Sequence, residues 1–119
     1  MPEYPSVDPN AVGRFLETCL KARRTAYYAE VVKRFGLPAL DGAWASHPLS
    51  EIFDVLDRED AAAPRPYRTA VVIAQDTNRP GNGFFEALQR YKNIPDPGTL
   101  EGRDSVWIAE LNAAYDFLW

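Results

Sequence analysis

The sequence of 119 residues predicts an α+β domain built mainly of helices. Its first half contains three segments whose apolar residues recur at three- and four-residue spacing, as on one face of a helix. A β-branched run, TAVVIAQ over residues 69–75, follows them, and the polar loop DTNRPGNG over 76–83 separates that run from two phenylalanines. A helix-turn-helix pattern followed by a strand and loop predicts a single winged-helix-like domain over 1–119, with a short β-hairpin wing and an extra C-terminal helix.

The first three helices follow from capping residues and apolar stripes. Asp8 before Pro9 is typical of an N-cap followed by proline at the first helical position. Thr25 is predicted to cap the second helix, and Gly36 to end it. Ser46 is predicted to begin the third helix. The predicted stripes are Val12, Phe15, Leu16, Cys19 and Leu20, then Tyr27, Tyr28, Val31, Val32 and Phe35, then Leu49, Ile52, Phe53 and Leu56.

The second half predicts a strand, a turn and two further helices. Residues 61–66 contain two prolines and indicate a stiff connector into the strand over 69–75. Pro80 and Gly81 suit the central positions of a type II turn, in which Gly81 has a positive φ. The two phenylalanines begin the fourth helix, and Asp104 is predicted to cap the last. The apolar side predicted for the last helix contains Trp107, Ile108, Leu111, Ala114, Tyr115 and Leu118.

Composition is that of an ordinary globular protein, with 46% hydrophobic and 25% charged residues. No apolar run approaches the roughly 20 residues that cross a bilayer, and the first nine residues lack the basic start and apolar segment of a signal peptide. The single cysteine, Cys19, cannot form an internal disulfide, which agrees with a reducing compartment. We therefore expect a cytoplasmic protein with no membrane partner.

Charge is divided between two segments, although the net charge is only −4. Residues 14–34 contain six basic and two acidic side chains, whereas residues 41–60 contain six acidic side chains and one basic. Nucleic-acid-binding proteins usually have basic charge over the whole domain, but a local basic patch is sufficient for contact with phosphates. We expect one basic face and one acidic face.

Three segments resemble a family of small uncharacterised bacterial winged-helix-like proteins. They are TAYYAEVVKRFGLP, WASHPLSEIFDVLD and RTAVVIAQDTNRPGNGFF, which together span about residues 24–86. That family has a Tyr-Gly-Glu-Leu-Ala-like helix and a Leu-Val-Val…Pro-Gly-x-Gly-Phe strand and loop. The order of elements is also similar to the DNA-binding domain of alkyltransferase-like proteins. Alkyltransferases require the cysteine of a Pro-Cys-His-Arg motif, which this chain lacks, so the resemblance does not imply alkyl transfer.

No catalytic residue, metal site or cofactor is predicted from the sequence. Cys19 lies on an apolar stripe, which favours a buried thiol over a nucleophile. His47 is the sole histidine and has no Cys or His at metal-ligand spacing. The sequence Gly81-Asn82-Gly83 lacks the remaining residues of a phosphate-binding loop. We therefore expect a non-enzymatic protein.

Nucleic-acid binding is the first functional hypothesis, with duplex DNA as the partner. An arginine at the tip of a wing commonly contacts phosphate or the minor groove, and a helix N-terminus attracts anions. His47 has helix capping as its alternative role. Tyr28 and Trp44 flank the basic segment, although the aromatic residues as a set are expected in the core. The predicted contacts are Arg23, Arg24, Tyr28, Ser46, His47 and Arg79.

A protein-interaction module is the alternative hypothesis. The third helix contains Glu51, Asp54 and Asp57, which are expected on its exposed side and would repel phosphate. Acidic and basic surfaces on one chain suit a charged protein partner or a second copy of the chain. The sequence leaves both hypotheses open, together with the ligand and the oligomeric state.

Overall fold

A computed structural model describes residues 7–119, and five α-helices and two short strands form the regular structure of that range. In chain order the elements are α1 (Pro9–Lys21), β1 (Ala26–Tyr27), α2 (Tyr28–Arg34), α3 (Pro48–Ala62), β2 (Val72–Ile73), α4 (Asn82–Lys92) and α5 (Leu100–Asp116). The predicted α+β class is confirmed. None of these helices has both the length and the apolar character needed to cross a bilayer. The prediction about a signal peptide depends largely on residues 1–6, which lie outside the described range.

The strands β1 and β2 form a two-stranded parallel sheet, in which Ala26 is opposite Val72 and Tyr27 is opposite Ile73. Parallel strands require a crossover connection, which α2 and α3 provide here. The predicted β-hairpin wing is therefore wrong for the described residues, because a hairpin would pair two antiparallel strands joined by a tight turn.

The predicted strand over 69–75 is reduced to the two residues of β2. A 3-10 helix, Arg68–Val71, occupies its beginning. The backbone there bonds to side chains instead of to a neighbouring strand. Asp60 accepts from the Arg68 N–H at 2.9 Å, and the Trp107 indole N–H donates to the Ala70 carbonyl at 2.8 Å. The strand β1 pairs only with Val72 and Ile73, so the backbone groups before them have no neighbouring strand. The side chains of Asp60 and Trp107 satisfy two of those groups.

Helix ends follow local signals in part. Asp8 caps α1, since its side chain accepts from the Asn10 N–H at 3.0 Å, as predicted. Gly36 has a φ of +65° just beyond α2 and ends that helix, also as predicted. Thr25 does not cap α2. The N-cap position is Tyr27, whose side chain makes no capping bond, because Tyr27 is also the last residue of β1.

Two predictions for the second half are wrong in detail. Gly81 has a φ of −75° and is the N-cap of α4, so the type II turn with a positive φ at this glycine is not formed. The left-handed residue of the loop is Asn78, with a φ of 57°. Asp104 lies inside α5 and is not its cap. Thr99 caps that helix, because its hydroxyl accepts from the Gly102 N–H at 3.1 Å.

The hydrophobic core is built from α1, α3, α4 and the residues around β2. The predicted stripes of α1 and α3 are buried, and Cys19 is 1% exposed. The predicted apolar side of the last helix is buried only at Leu111 and Ala114, whereas Ile108 and Leu118 are exposed. The α5 helix therefore packs on the core through part of its length.

A buried ion network joins α3 to the segment that enters β2. Asp60 is fully buried and accepts from the guanidinium groups of Arg65 and Arg68. Arg68 also forms ion pairs with Glu17 of α1, at 3.2 Å, and with Glu59, at 3.3 Å. Two guanidinium groups and hydrogen bonds therefore compensate the buried Asp60 carboxylate.

Candidate ligand-binding cleft

A cleft of about 710 Å³ opens between α2, α3 and α4. This volume is within the range of about 300 to 1,000 Å³ that is typical of small-molecule sites. Its apolar walls include Tyr28, Trp44, Phe53, Phe84 and Ala87, together with the backbone of Gly81 and Gly83. Its charged lining consists of Asp54, Asp57, Asp76, Glu86 and Arg90.

Tyr28, Trp44 and Phe53 form one aromatic wall. The ring centroid of Tyr28 lies 5.6 Å from that of Trp44 and 6.1 Å from that of Phe53, and the last two are 6.0 Å apart. Trp44 also stacks on the His47 ring, with centroids 6.0 Å apart and planes 8° apart. Aromatic pairs at these separations stabilise one another beyond simple burial. The three rings of the wall therefore hold one another in place.

Two glycines place the start of α4 against this wall. The Gly81 N–H donates to the Tyr28 hydroxyl oxygen at 3.0 Å. A Cβ at Gly83 would lie 2.8 Å from Nε1 of Trp44, closer than real contacts allow. Gly83 is inside α4, where glycine costs about 1 kcal/mol relative to alanine. The close approach of Trp44 gives a physical reason for glycine at this position.

Asp57 lines the cleft from a buried position, and its prediction as an exposed residue is wrong. Its side chain accepts from the Thr69 hydroxyl at 2.6 Å through Oδ1, and the residue is 4% exposed. The second carboxylate oxygen accepts no hydrogen bond from residues 7–119. Since no fully buried side-chain oxygen in that range lacks a partner, this oxygen is accessible from the cleft. Burial raises the pKa of Asp57 well above its usual range; the Thr69 bond opposes this rise, and the charges of Asp60 and Asp54 add to it.

The spacing of α3 explains why Asp57 and Asp60 are buried. They follow Phe53 by four and seven residues, which places all three on the same face of the helix. A sequence interpretation that gave spacing more weight than residue type would have found both.

Asp54 is half-buried; it accepts from the Tyr91 hydroxyl at 2.5 Å and pairs with Arg58 at 3.2 Å. Of the three predicted acidic residues of this helix, Glu51 alone is fully exposed.

The three arginines that were predicted to contact nucleic acid each pair with a carboxylate of this protein. Arg23 pairs with Asp116, and Arg24 pairs with Glu30 at 3.0 Å. Arg79 forms two hydrogen bonds with Asp104, at 2.8 and 3.1 Å. The guanidinium of Arg79 lowers the pKa of the Asp104 carboxyl. These arginines remain at the surface, but acidic partners compensate their charge.

The other three residues predicted to contact nucleic acid differ in how exposed they are. Ser46 is exposed, and Tyr28 belongs to the aromatic wall. His47 is 6% exposed and, rather than Ser46, is the N-cap of α3. Its Nδ1 accepts from the Leu49 N–H at 3.0 Å, so the ring proton is on Nε2, which donates to the Pro38 carbonyl at 2.9 Å. Both ring nitrogens are therefore occupied by the fold.

Residues 7–119 contain no group of three or more His, Cys, Asp or Glu side chains placed to bind a metal ion. Burial raises the pKa of the Cys19 thiol, which disfavours the reactive thiolate.

No protein-family model matches the chain, and comparisons with curated proteins and with solved structures find no similar protein. The resemblance to small bacterial winged-helix-like proteins therefore stays a prediction from sequence segments.

Proposed function

We propose that this is a non-enzymatic binding protein that holds a small molecule in the aromatic cleft. The observation that carries the proposal is the buried carboxyl of Asp57, which lines the cleft with one oxygen lacking a protein donor. That oxygen is accessible from the cleft, so a hydrogen-bond donor of a ligand can reach it. A preformed apolar cleft with few polar groups is the usual form of a ligand site.

Nucleic-acid binding stays a hypothesis with less support. Arg23, Arg24 and Arg79 have carboxylate partners, so they add little net positive charge to the surface. The carboxylates around the cleft would repel phosphate. The winged-helix-like relationship is likewise a proposal, supported by the order of α1, α2 and α3.

The interaction-module hypothesis is also weaker than it was on sequence alone. Only Glu51, of the three acidic residues assigned to that surface, is fully exposed. Asp54 and Asp57 instead line the cleft, so their carboxylates favour a ligand that enters it.

The proposal is tested by NMR with the ¹⁵N-labelled protein and indole as a neutral probe. We expect indole to shift the backbone amide of Gly83 and the indole N–H of Trp44, because both line the cleft. The Trp107 indole N–H is the internal control, since it is bonded to the Ala70 carbonyl and does not line the cleft.

Two outcomes would count against the proposal. One is the absence of any shift at Gly83 and Trp44 with millimolar indole. The other is binding of duplex DNA at low salt, with shifts at Arg23 and Arg24 and none in the cleft, which would favour the nucleic-acid hypothesis.

A further inference from the structure

The cleft is lined by more negative than positive charge. The carboxylates of Asp54, Asp76 and Glu86 line it, against the single guanidinium of Arg90, and the buried Asp57 carboxyl lies beside them. Asp76 and Glu86 form no ion pair with residues 7–119. A concave site with apolar walls concentrates the field of such charges. The cleft therefore disfavours anionic ligands.

Two basic side chains near the cleft are already engaged. The guanidinium of Arg90 packs against the Tyr91 ring, 5.9 Å from its centroid. Arg58 pairs with Asp54 across one turn of α3 and does not line the cleft. Neither forms a hydrogen bond or an ion pair with Asp57, which accepts from the neutral Thr69 hydroxyl. The charge of Lys92 acts on Asp57, but its ammonium pairs with Glu110 at 2.6 Å.

The second oxygen of Asp57 has no donor among residues 7–119 and is accessible from the cleft, where a ligand donor can reach it. Burial disfavours the ionised form of this carboxyl, and a nearby positive charge would favour it. An ammonium group supplies both a donor and a positive charge. The faces of tryptophan and tyrosine also attract cations within about 6 Å of the ring centroid, and Trp44 and Tyr28 line the same cleft.

We infer that the cleft binds a small organic cation, an amine with an aromatic or apolar body, whose ammonium group contacts Asp57 and whose body lies against Tyr28 and Trp44. This inference rests on the proposed ligand-binding function. A cleft of about 710 Å³ suits a free small molecule, so a lysine side chain of a partner protein is the competing source of the same chemistry.

The test uses three probes with one ring system and three charges: tryptamine, indole-3-ethanol and indole-3-acetate. We expect titration calorimetry at neutral pH to give tryptamine an affinity about tenfold higher than that of indole-3-ethanol, with indole-3-acetate weakest. The variant Asp57→Asn should reduce the preference for tryptamine over indole-3-ethanol to about twofold or less. The NMR shifts at Gly83 should locate all binding in the cleft.

A second variant keeps the test decisive if Asp57→Asn does not fold. The double variant Asp76→Asn, Glu86→Gln removes two exposed charges from the rim and should weaken tryptamine without weakening indole-3-ethanol. Equal affinities for tryptamine and indole-3-ethanol would overturn the inference and leave the proposed function standing. Failure of all three probes, and of free indole, to shift the cleft residues would overturn both. Nα-acetyl-lysine methylamide represents a lysine side chain of a partner protein. If it bound more tightly than tryptamine, the choice of a free amine would be overturned.

Discussion

The hydroxyl of Thr69 donates a 2.6 Å hydrogen bond to the buried carboxyl of Asp57, joining the segment before β2 to α3. Burial nevertheless raises the pKa of Asp57 well above its usual range. The folded protein therefore binds this proton more tightly than the unfolded chain does. The contribution of Asp57 to stability is complete below the unfolded pKa of about 4 and is lost as the pH rises through the raised folded pKa.

The first prediction concerns this pH dependence. Asn at position 57 keeps an oxygen for Thr69 but has no charge to bury. We expect Asp57→Asn to become more stable relative to the wild type as the pH rises from about 4 toward neutrality. Urea denaturation at several pH values measures the difference, and the exposed Asp76→Asn serves as the matched control. A difference between Asp57→Asn and wild type that does not change with pH would contradict the assignment.

Helix positions could be predicted because their signals are local. Asp8 caps α1, Gly36 follows α2 in a left-handed conformation, and the apolar spacing of α3 identifies its buried face. Each of these features depends on residues within a few positions of one another. Thr25 failed as a cap because Ala26 and Tyr27 pair with a strand far along the chain, and nothing in the adjacent sequence reports that pairing.

The sheet could not be predicted for the same reason. Two-residue strands contain too little alternation to be recognised, and the β-branched run 69–75 suggested a longer one. Its first residues belong to the 3-10 helix Arg68–Val71, in which Asp60 accepts from the Arg68 N–H and Trp107 donates to the Ala70 carbonyl. Those contacts are tertiary and override the preference of β-branched residues for strands.

The candidate cleft could be predicted in part. Tyr28 and Trp44 stood out in the sequence as aromatic residues beside the basic segment, but their contact with Gly81 and Gly83 joins distant parts of the chain. Asp57 was predicted to be exposed because aspartate is rarely buried. It is buried, as its four-residue spacing from Phe53 on the buried face of α3 would have predicted.

The second prediction compares two glycines. A side chain at Gly83 would press on Trp44, whose ring is held by Tyr28, Phe53 and His47. We expect Gly83→Ser to cost about 1 to 3 kcal/mol of unfolding free energy and to change the near-ultraviolet circular dichroism of the aromatic wall.

The matched control is Gly81→Ser, at the N-cap of α4. A Cβ there lies 3.5 Å from the nearest atom, the Tyr28 hydroxyl, and the backbone is extended with a φ of −75°. Serine can cap the helix from this position, so we expect a stability unchanged or raised by roughly a few tenths of a kcal/mol. Equal losses from the two substitutions would refute the close-approach explanation for Gly83.

The third prediction separates a buried ion pair from an exposed one. Asp60 has a fully buried side chain between Arg65 and Arg68, whereas the Asp116 side chain is 70% exposed beside Arg23. Asp60→Ala leaves Arg68 buried without its closest partner, and we expect a loss of about 3 to 5 kcal/mol, measured by urea denaturation. Asp116→Ala removes a solvent-screened pair and should cost no more than about 1 kcal/mol, a difference that disappears at high salt. If Asp60→Ala cost no more than Asp116→Ala, Asp60 would not stabilise the junction between α3 and β2.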